Sequence, residues 1–191
     1  MNDSIHKRHS EFVLENLPKM TSDVLDVGCG YGRMAAEIKK KNPSIKIQGV
    51  ELCKPFADKF ISDYGNCFVG SVQEYTPSKK FDVIIIVTVL MYTEISEISS
   101  IITKLWHSLN KNGRLICIEP STSFLIEARR LLRKKELQPT GENVHYFSKS
   151  EFLEVVEKNL NSSMFVANQS FGLFPIISKP VIHHGLVFEK I

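Results

Sequence analysis

The sequence lacks any uninterrupted apolar run of the ~18 residues or more that a membrane helix requires. Its longest candidate, residues 83–91, is far shorter and contains Thr88. No membrane span is therefore expected. Cysteine is scarce: Cys29, Cys53, Cys67 and Cys117 form no CxxC pair and have no histidine at metal-ligand spacing. This scatter predicts buried free thiols and argues against a zinc centre or a redox motif. No metal is expected. Charge of one sign is also in short supply, since 24 Lys and Arg against 21 Asp and Glu leave a formal net charge of +3. So small a balance gives no footing for nucleic acid, although ARRLLRKK at residues 128–135 concentrates basic groups locally. The opening MNDSIHKRHSEF has no apolar core of the signal-peptide kind, which predicts a cytoplasmic setting. Repeats and low-complexity tracts are missing, so nothing marks a linker.

What is present is an ordinary globular balance, 43% hydrophobic, 24% charged and 9% aromatic. A chain of this length buries roughly 70% of its unfolded surface, enough for one large core. Residues 1–191 are read as a single domain, with a helical segment in 1–20 and a substrate-side insertion or lid in 121–160.

Short β-branched runs alternate with helical patterns, the signature of a parallel sheet built from βαβ units. Helices are expected over residues 10–17, after the glycines at 28–32, and from Pro55 to a cap at Gly65; a fourth carries Ile95, Ile98, Ile101, Ile102, Leu105 and Leu109. Strands are expected at 24–27, 45–50, 67–69, 81–89 and 114–118, with Asn110 to Gly113 breaking the pattern before the last. The run at 81–89, almost all Val and Ile, predicts the buried central strand. Beyond it come a basic helix over 123–136, a loop through Pro139 and Gly141, and a helix over 148–160 opened by a Ser-x-x-Glu box. Two final strands, 164–171 and 186–191, have no helix between them and are expected to pair antiparallel. Trp106 reads as core, and His183 and His184 as loop residues before the last strand.

Strand one ends in Asp26-Val27-Gly28-Cys29-Gly30-Tyr31-Gly32 and runs straight into a helix. That is the turn where a ligand meets the edge of an open α/β sheet. Asp26, just before the loop, would repel phosphates but hold an ammonium group or a ribose hydroxyl. Glu51 ends strand two beside the loop and is suited to accept both hydroxyls of a ribose. The GxGxG spacing departs from the GxGxxG of the dinucleotide fingerprint. A nucleoside is the expected ligand.

These residues, with VEL at 50–52, GSVQEYTP, FDVIIIVTVLMY and LNKNGRLICIEP, resemble the class I S-adenosylmethionine (SAM)-dependent methyltransferases over residues 24–120. The resemblance implies an α/β fold, a Rossmann-like three-layer α/β/α sandwich whose mostly parallel seven-stranded sheet ends in an antiparallel strand pair. It implies S-adenosyl-L-methionine as cofactor, with Asp26, Gly28, Cys29 and Gly30 shaping the methionine pocket, Glu51 on the ribose and Leu52 against the adenine. Ser71 stands where the family often has Asp for the adenine amino group, and Val72 would add a backbone N–H and an apolar wall. Val87 and Thr88 would reach the cofactor's end of the sheet.

A sulfonium methyl is already electrophilic, so alignment of a nucleophile and exclusion of water matter more than acid–base machinery. The (Asp/Asn/Ser)-Pro-Pro-aromatic tetrapeptide of base methylation is absent after strand four, where Thr88-Val89-Leu90-Met91-Tyr92 stands. No cysteine has the Pro-Cys setting of a cytosine C5 nucleophile. Methyl transfer to an O or N nucleophile of a small molecule is the residual expectation, by a monomer or weak homodimer with no membrane partner. Tyr92, Glu119, His145 and Tyr146 are the acceptor-side candidates, with Tyr92 and His145 read as catalytic. His145 is either a general base or a packing residue of a lid over residues 140–147. The basic helix is either a solvated face, a reader of phosphate or carboxylate on the substrate, or a contact for an acidic partner. Two alternatives stay open: a nucleotide-dependent oxidoreductase and a non-catalytic SAM-binding protein.

Overall fold

The computed structural model describes residues 3–121, 146–171 and 182–191. Its strands are β1 (Asp23–Val27), β2 (Lys46–Glu51), β3 (Asn66–Val69), β4 (Phe81–Val87), β5 (Leu109–Ser121), β6 (Ser163–Phe171) and β7 (Ile182–Lys190). They form one sheet in the order β3-β2-β1-β4-β5-β7-β6. The first five pair in parallel, and β7 is antiparallel to both β5 and β6. The expected seven-stranded Rossmann-like sheet is therefore present, with its antiparallel end.

Alternation along the strands divides the core into two layers. Leu25, Val27, Ile84 and Ile86 pack with Ile98, Ile101, Ile102 and Leu105 of α4 (Ile95–His107) and Phe152 and Val156 of α5 (Lys149–Glu157). Val24, Val83, Ile85, Ile116 and Ile118 pack instead with Phe12 and Val13 of α1 (Asp3–Glu15), Ala35 and Ile38 of α2 (Arg33–Lys41), and Phe60 of α3 (Lys54–Tyr64). Residues 83 to 86 of β4 are 0% exposed, as a strand covered on both faces must be. Trp106 is core as expected, its indole N–H donating to Asn161 O at 2.9 Å.

Several boundaries differ for identifiable reasons. Helix α1 begins seven residues before the expected Ser10, because His6 and His9 continue its face and His9 is buried beside His183 at a ring separation of 4.7 Å. Strand β4 stops at Val87 because Thr88 turns to φ 55° and leaves the extended region. The expected break at residues 110–113 is an irregularity inside β5, where Asn112 takes φ 61° and the register against β4 shifts. The Ser148 box forms as read: Ser148 Oγ accepts from Glu151 N at 3.2 Å and Ser148 N donates to Glu151 Oε2 at 2.8 Å. His183 and His184 lie within β7, not in a loop before it, and both are buried. Of the thiols expected to be buried, Cys53 is exposed and Cys67 half-buried. The basic helix over 123–136 and most of the 140–147 lid, His145 included, lie outside the described residues. No described helix is long and apolar enough to cross a membrane.

Burial, with the neighbouring imidazoles, lowers the His9 pKa to about 3 and that of His183 to about 4. Depressed folded-state values mean that the unfolded chain binds protons first as pH falls below about 6.5, so this part of the stability is lost as pH falls from about 6.5 to about 4 for His183 and to about 3 for His9. Urea unfolding at pH 7 and pH 5 should show wild type losing about 1–2 kcal/mol more than His9→Phe. Equal pH dependence in the two proteins would remove the buried imidazoles as the cause.

Candidate active site

Strand β1 runs beside β2 on one side and β4 on the other, so chain direction through the sheet reverses at this point and the connections after β1 and β4 part. A crevice at the C-terminal ends of the strands is the geometric result. The glycine loop lines it. Gly28 N and Cys29 N donate to Val50 O at 2.8 and 3.2 Å, which ties the loop to the end of β2. Glu51 then grips the loop from the side, its Oε2 accepting from Gly30 N at 2.8 Å and its Oε1 from Cys53 N at 2.7 Å. A carboxylate has about four acceptor sites, so both oxygens retain capacity for hydroxyl donors.

The first two glycines of the loop differ in what surrounds them. Gly28 has φ 70°, and a Cβ there would lie 2.3 Å from Val89 Cγ2. Gly30 has φ 55°, and a Cβ there would meet nothing within 4 Å. The first glycine makes room for protein and the second leaves room open.

Two adjoining clefts result. The larger, about 340 Å³, has Glu51, Leu52, Ser71, Val72 and Tyr92 among its lining residues. The smaller, about 160 Å³, is bounded by Asp26, Cys29, Gly30 and Tyr31, with His6, His9 and Ser10 of α1 and Arg33 of α2. Gly28, Val87 and Thr88 line both, so the clefts adjoin at the ends of β1 and β4. A hollow of about 420 Å³ between α1 and α2 is larger, but it is an open surface feature edged by Glu37, Lys40 and Lys41 with no strand end in it.

Every expected cofactor residue thus borders the paired clefts. Tyr92 is at the rim, 60% exposed. The Ser71 hydroxyl is engaged, donating to Glu74 Oε2 at 2.9 Å. Asp26 is 3% exposed, and its Oδ2 has no hydrogen-bond partner. Burial, reinforced by Glu51, raises its pKa to about 7. Cys29 Sγ lies 3.8 Å from Cys67 Sγ, and that contact with burial pushes the Cys29 thiol well up, leaving it a poor nucleophile.

One reading needs correction. Glu119 is not an acceptor-side group: it is 1% exposed, and its carboxylate accepts from the backbone amides of Val89, Leu90 and Met91. The chain also brings together residues the sequence reading left out. His6 bonds the Arg33 guanidinium, which lies 5.5 Å from the Tyr31 ring centroid, and Tyr31 meets Phe56 edge-on at 6.0 Å. The signal was available, since Tyr31 and Arg33 adjoin the glycine loop, and His6 and His9 share a helical face once α1 is extended. Among the described residues no group of three or more His, Cys, Asp or Glu is placed to hold a metal ion.

Comparison with known proteins gives the class. The methyltransferase domain family matches residues 2–159, and the chain belongs to it as a class I SAM-dependent methyltransferase. A SAM-dependent methyltransferase from Methanosarcina mazei has the same fold, with a TM-score of 0.72 at 15% identity over 94% of this chain and 97% of that one. The N-methyltransferase NodS from Bradyrhizobium japonicum, solved with S-adenosylhomocysteine (SAH), gives a TM-score of 0.70 at 13% identity over 97% and 86%. Ribosomal RNA small subunit methyltransferase C of Shewanella pealeana is 42% identical over 43 residues, 22% of this chain. The chain thereby covers only 13% of that relative's length.

Gly28→Ala should destabilise the fold by about 1–3 kcal/mol, because the new methyl overlaps Val89 and the backbone stays left-handed. Denaturant unfolding of the variant checks this. The double variant Gly28→Ala with Val89→Ala should recover part of the loss, and no recovery would mean that backbone strain alone is responsible.

Proposed function

We propose that this chain transfers the methyl group of SAM to an oxygen or nitrogen nucleophile of a small molecule by in-line displacement. The observation that carries the reading is the pair of adjoining clefts, with Glu51 beside one and, in the other, the buried Asp26 carboxylate whose Oδ2 has no hydrogen-bond partner. An unpartnered buried carboxylate is costly and is relieved by a cation. Together the clefts have the volume expected for a nucleoside with an amino-acid tail.

The cofactor, when bound, supplies a methyl group activated by a positively charged sulfur. Glu51 would accept the ribose hydroxyls, and Leu52 and Val72 would flank the base, with Ser71 beside them. Asp26 would take the ammonium of the methionine part, within a loop where Gly28, Cys29 and Gly30 keep side chains out of its path. Arg33 and His6, at the far side of the smaller cleft, are suited to a carboxylate. Val87 and Thr88 form the wall where the two parts join. On the acceptor side Tyr92 is the rim residue, and His145 is the candidate base. With alignment carrying most of the rate, either acts mainly by orienting the nucleophile or removing its proton.

A small acceptor is favoured over RNA by the formal charge of +3 and by the absence of the Pro-Pro tetrapeptide after β4. The ribosomal RNA methyltransferase match is too short to carry that enzyme's substrate across. Incubation with SAM and a metabolite panel, with SAH release as the readout, tests the activity. Binding of NAD in place of SAH would support the oxidoreductase reading. SAH binding without turnover on any acceptor would favour a binding protein.

Calorimetric titration should show one SAH site per chain, weakened by about 1.5–3 kcal/mol in Glu51→Ala, the range for hydrogen bonds to a charged group. Equal affinity in both proteins would make Glu51 a loop anchor only.

With the Asp26 pKa raised to about 7, affinity for the ammonium-bearing ligand should fall as pH drops below 7, by up to about tenfold per pH unit. Asp26→Asn should flatten that profile. An unchanged slope would assign the pH dependence elsewhere.

A further inference from the structure

Among the described residues Glu119 is the other buried carboxylate at the C-terminal edge of the sheet, and the reaction as described does not use it. Its Oε1 accepts from Val89 N and Leu90 N at 2.8 Å each, and its Oε2 from Met91 N at 3.3 Å. These amides open the short 3-10 helix at Leu90–Tyr92 that follows β4, and no local side chain caps it. The first amides of a helix have no internal acceptor, so without Glu119 this turn would bury unpaired donors.

The turn is also strained. Thr88, β-branched, holds φ 55°, a conformation that persists only where the surroundings over-determine it. Two anchors do so, both on β5: Thr88 N donates to Ile118 O at 2.8 Å, and the next amide along donates to Glu119. What the turn carries is cleft wall. Val87 and Thr88 face both clefts, Val89 and Tyr92 the larger, and the Val89 side chain fills the space left by Gly28.

We propose that Glu119 is a positioning residue for the cofactor cleft, its buried carboxylate holding the turn over residues 88–91 in the strained shape that forms the wall common to both clefts. The proposal rests on the cofactor reading given above. A neutral amide does not replace the carboxylate, because in either orientation its NH₂ faces a backbone donor, Met91 N or the Val89 and Leu90 pair. Aspartate keeps the charge and falls one methylene short.

The test compares wild type, Glu119→Gln and Glu119→Asp, each ligand-free for amide hydrogen exchange and then titrated with SAH. In Glu119→Gln the amides of Val89, Leu90 and Met91 should exchange at least tenfold faster while Ile84, Ile85 and Ile86 of β4 keep wild-type protection. SAH affinity should fall at least tenfold. Glu119→Asp should lie between wild type and Glu119→Gln on both measures, and it serves alone if Glu119→Gln does not fold. Wild-type exchange at the three amides would overturn the proposal. So would faster exchange with unchanged SAH affinity, or loss of protection spread equally through β4 in both variants. Failure of wild type itself to bind SAH would instead sink the cofactor reading, and with it the assignment of the turn to a cofactor wall.

Discussion

Parallel pairing of β1 with both β2 and β4 is the constraint on which the rest depends. Parallel strands need crossover connections, and those crossovers are right-handed. Growth outward from β1 in two directions therefore sends the early helices to one face and the later ones to the other. Phe12, Ala35 and Phe60 lie in one layer, and Ile98, Ile102 and Phe152 in the other. Where the direction reverses, no helix covers the strand ends, and the crevice between the loops after β1 and β4 follows without any special sequence to make it. The glycines and carboxylates then decide what it accepts.

Two of those carboxylates show how burial alone fails to define a role. Asp26 and Glu119 sit at the ends of β1 and β5 on either side of β4, nearly fully buried, and burial raises each to a pKa of about 7. Strand alternation sends them to opposite faces, Asp26 with Val24 and Glu119 with Cys117. Their partners differ. Glu119 is satisfied by three amides of its own chain, so its charge is already spent on structure. Asp26 Oδ2 has none, which is why the proposed reading gives the ligand's cation to Asp26 and not to Glu119.

The parts legible in the sequence were those governed by local rules. Strand and helix order followed from hydrophobic period, the α5 start from a capping box, and the strand-end loop that borders the clefts from its glycines. Contacts set by tertiary packing were not legible. Glu119 reads as an acid near a strand end, like Glu51, and only the fold shows that one faces the buried turn and the other the cleft. Cys29 and Cys67 are far apart in sequence, yet β2 lies between their strands with Gly49 opposite Asp26 and Cys67, and the two sulfurs meet. The N-terminal reach of α1 was missed because its first turns are polar, although their histidines are what line the smaller cleft.

The glycine loop shows how one motif divides its work. Gly28 is glycine because protein presses on it, with Val89 lying where its side chain would be. Gly30 is glycine although no protein atom comes within 4 Å of that position, so packing gives no reason to exclude a side chain there. The left-handed angle of +55° is one reason, worth roughly 1–2 kcal/mol. The open space in front is the other, because a side chain would enter the smaller cleft that Gly30 lines. The turn held by Glu119 and the loop held by Glu51 therefore meet where Val89 faces Gly28, and Gly30 looks into open space. A site built this way is shaped before any ligand arrives, which keeps the ordering cost of binding low.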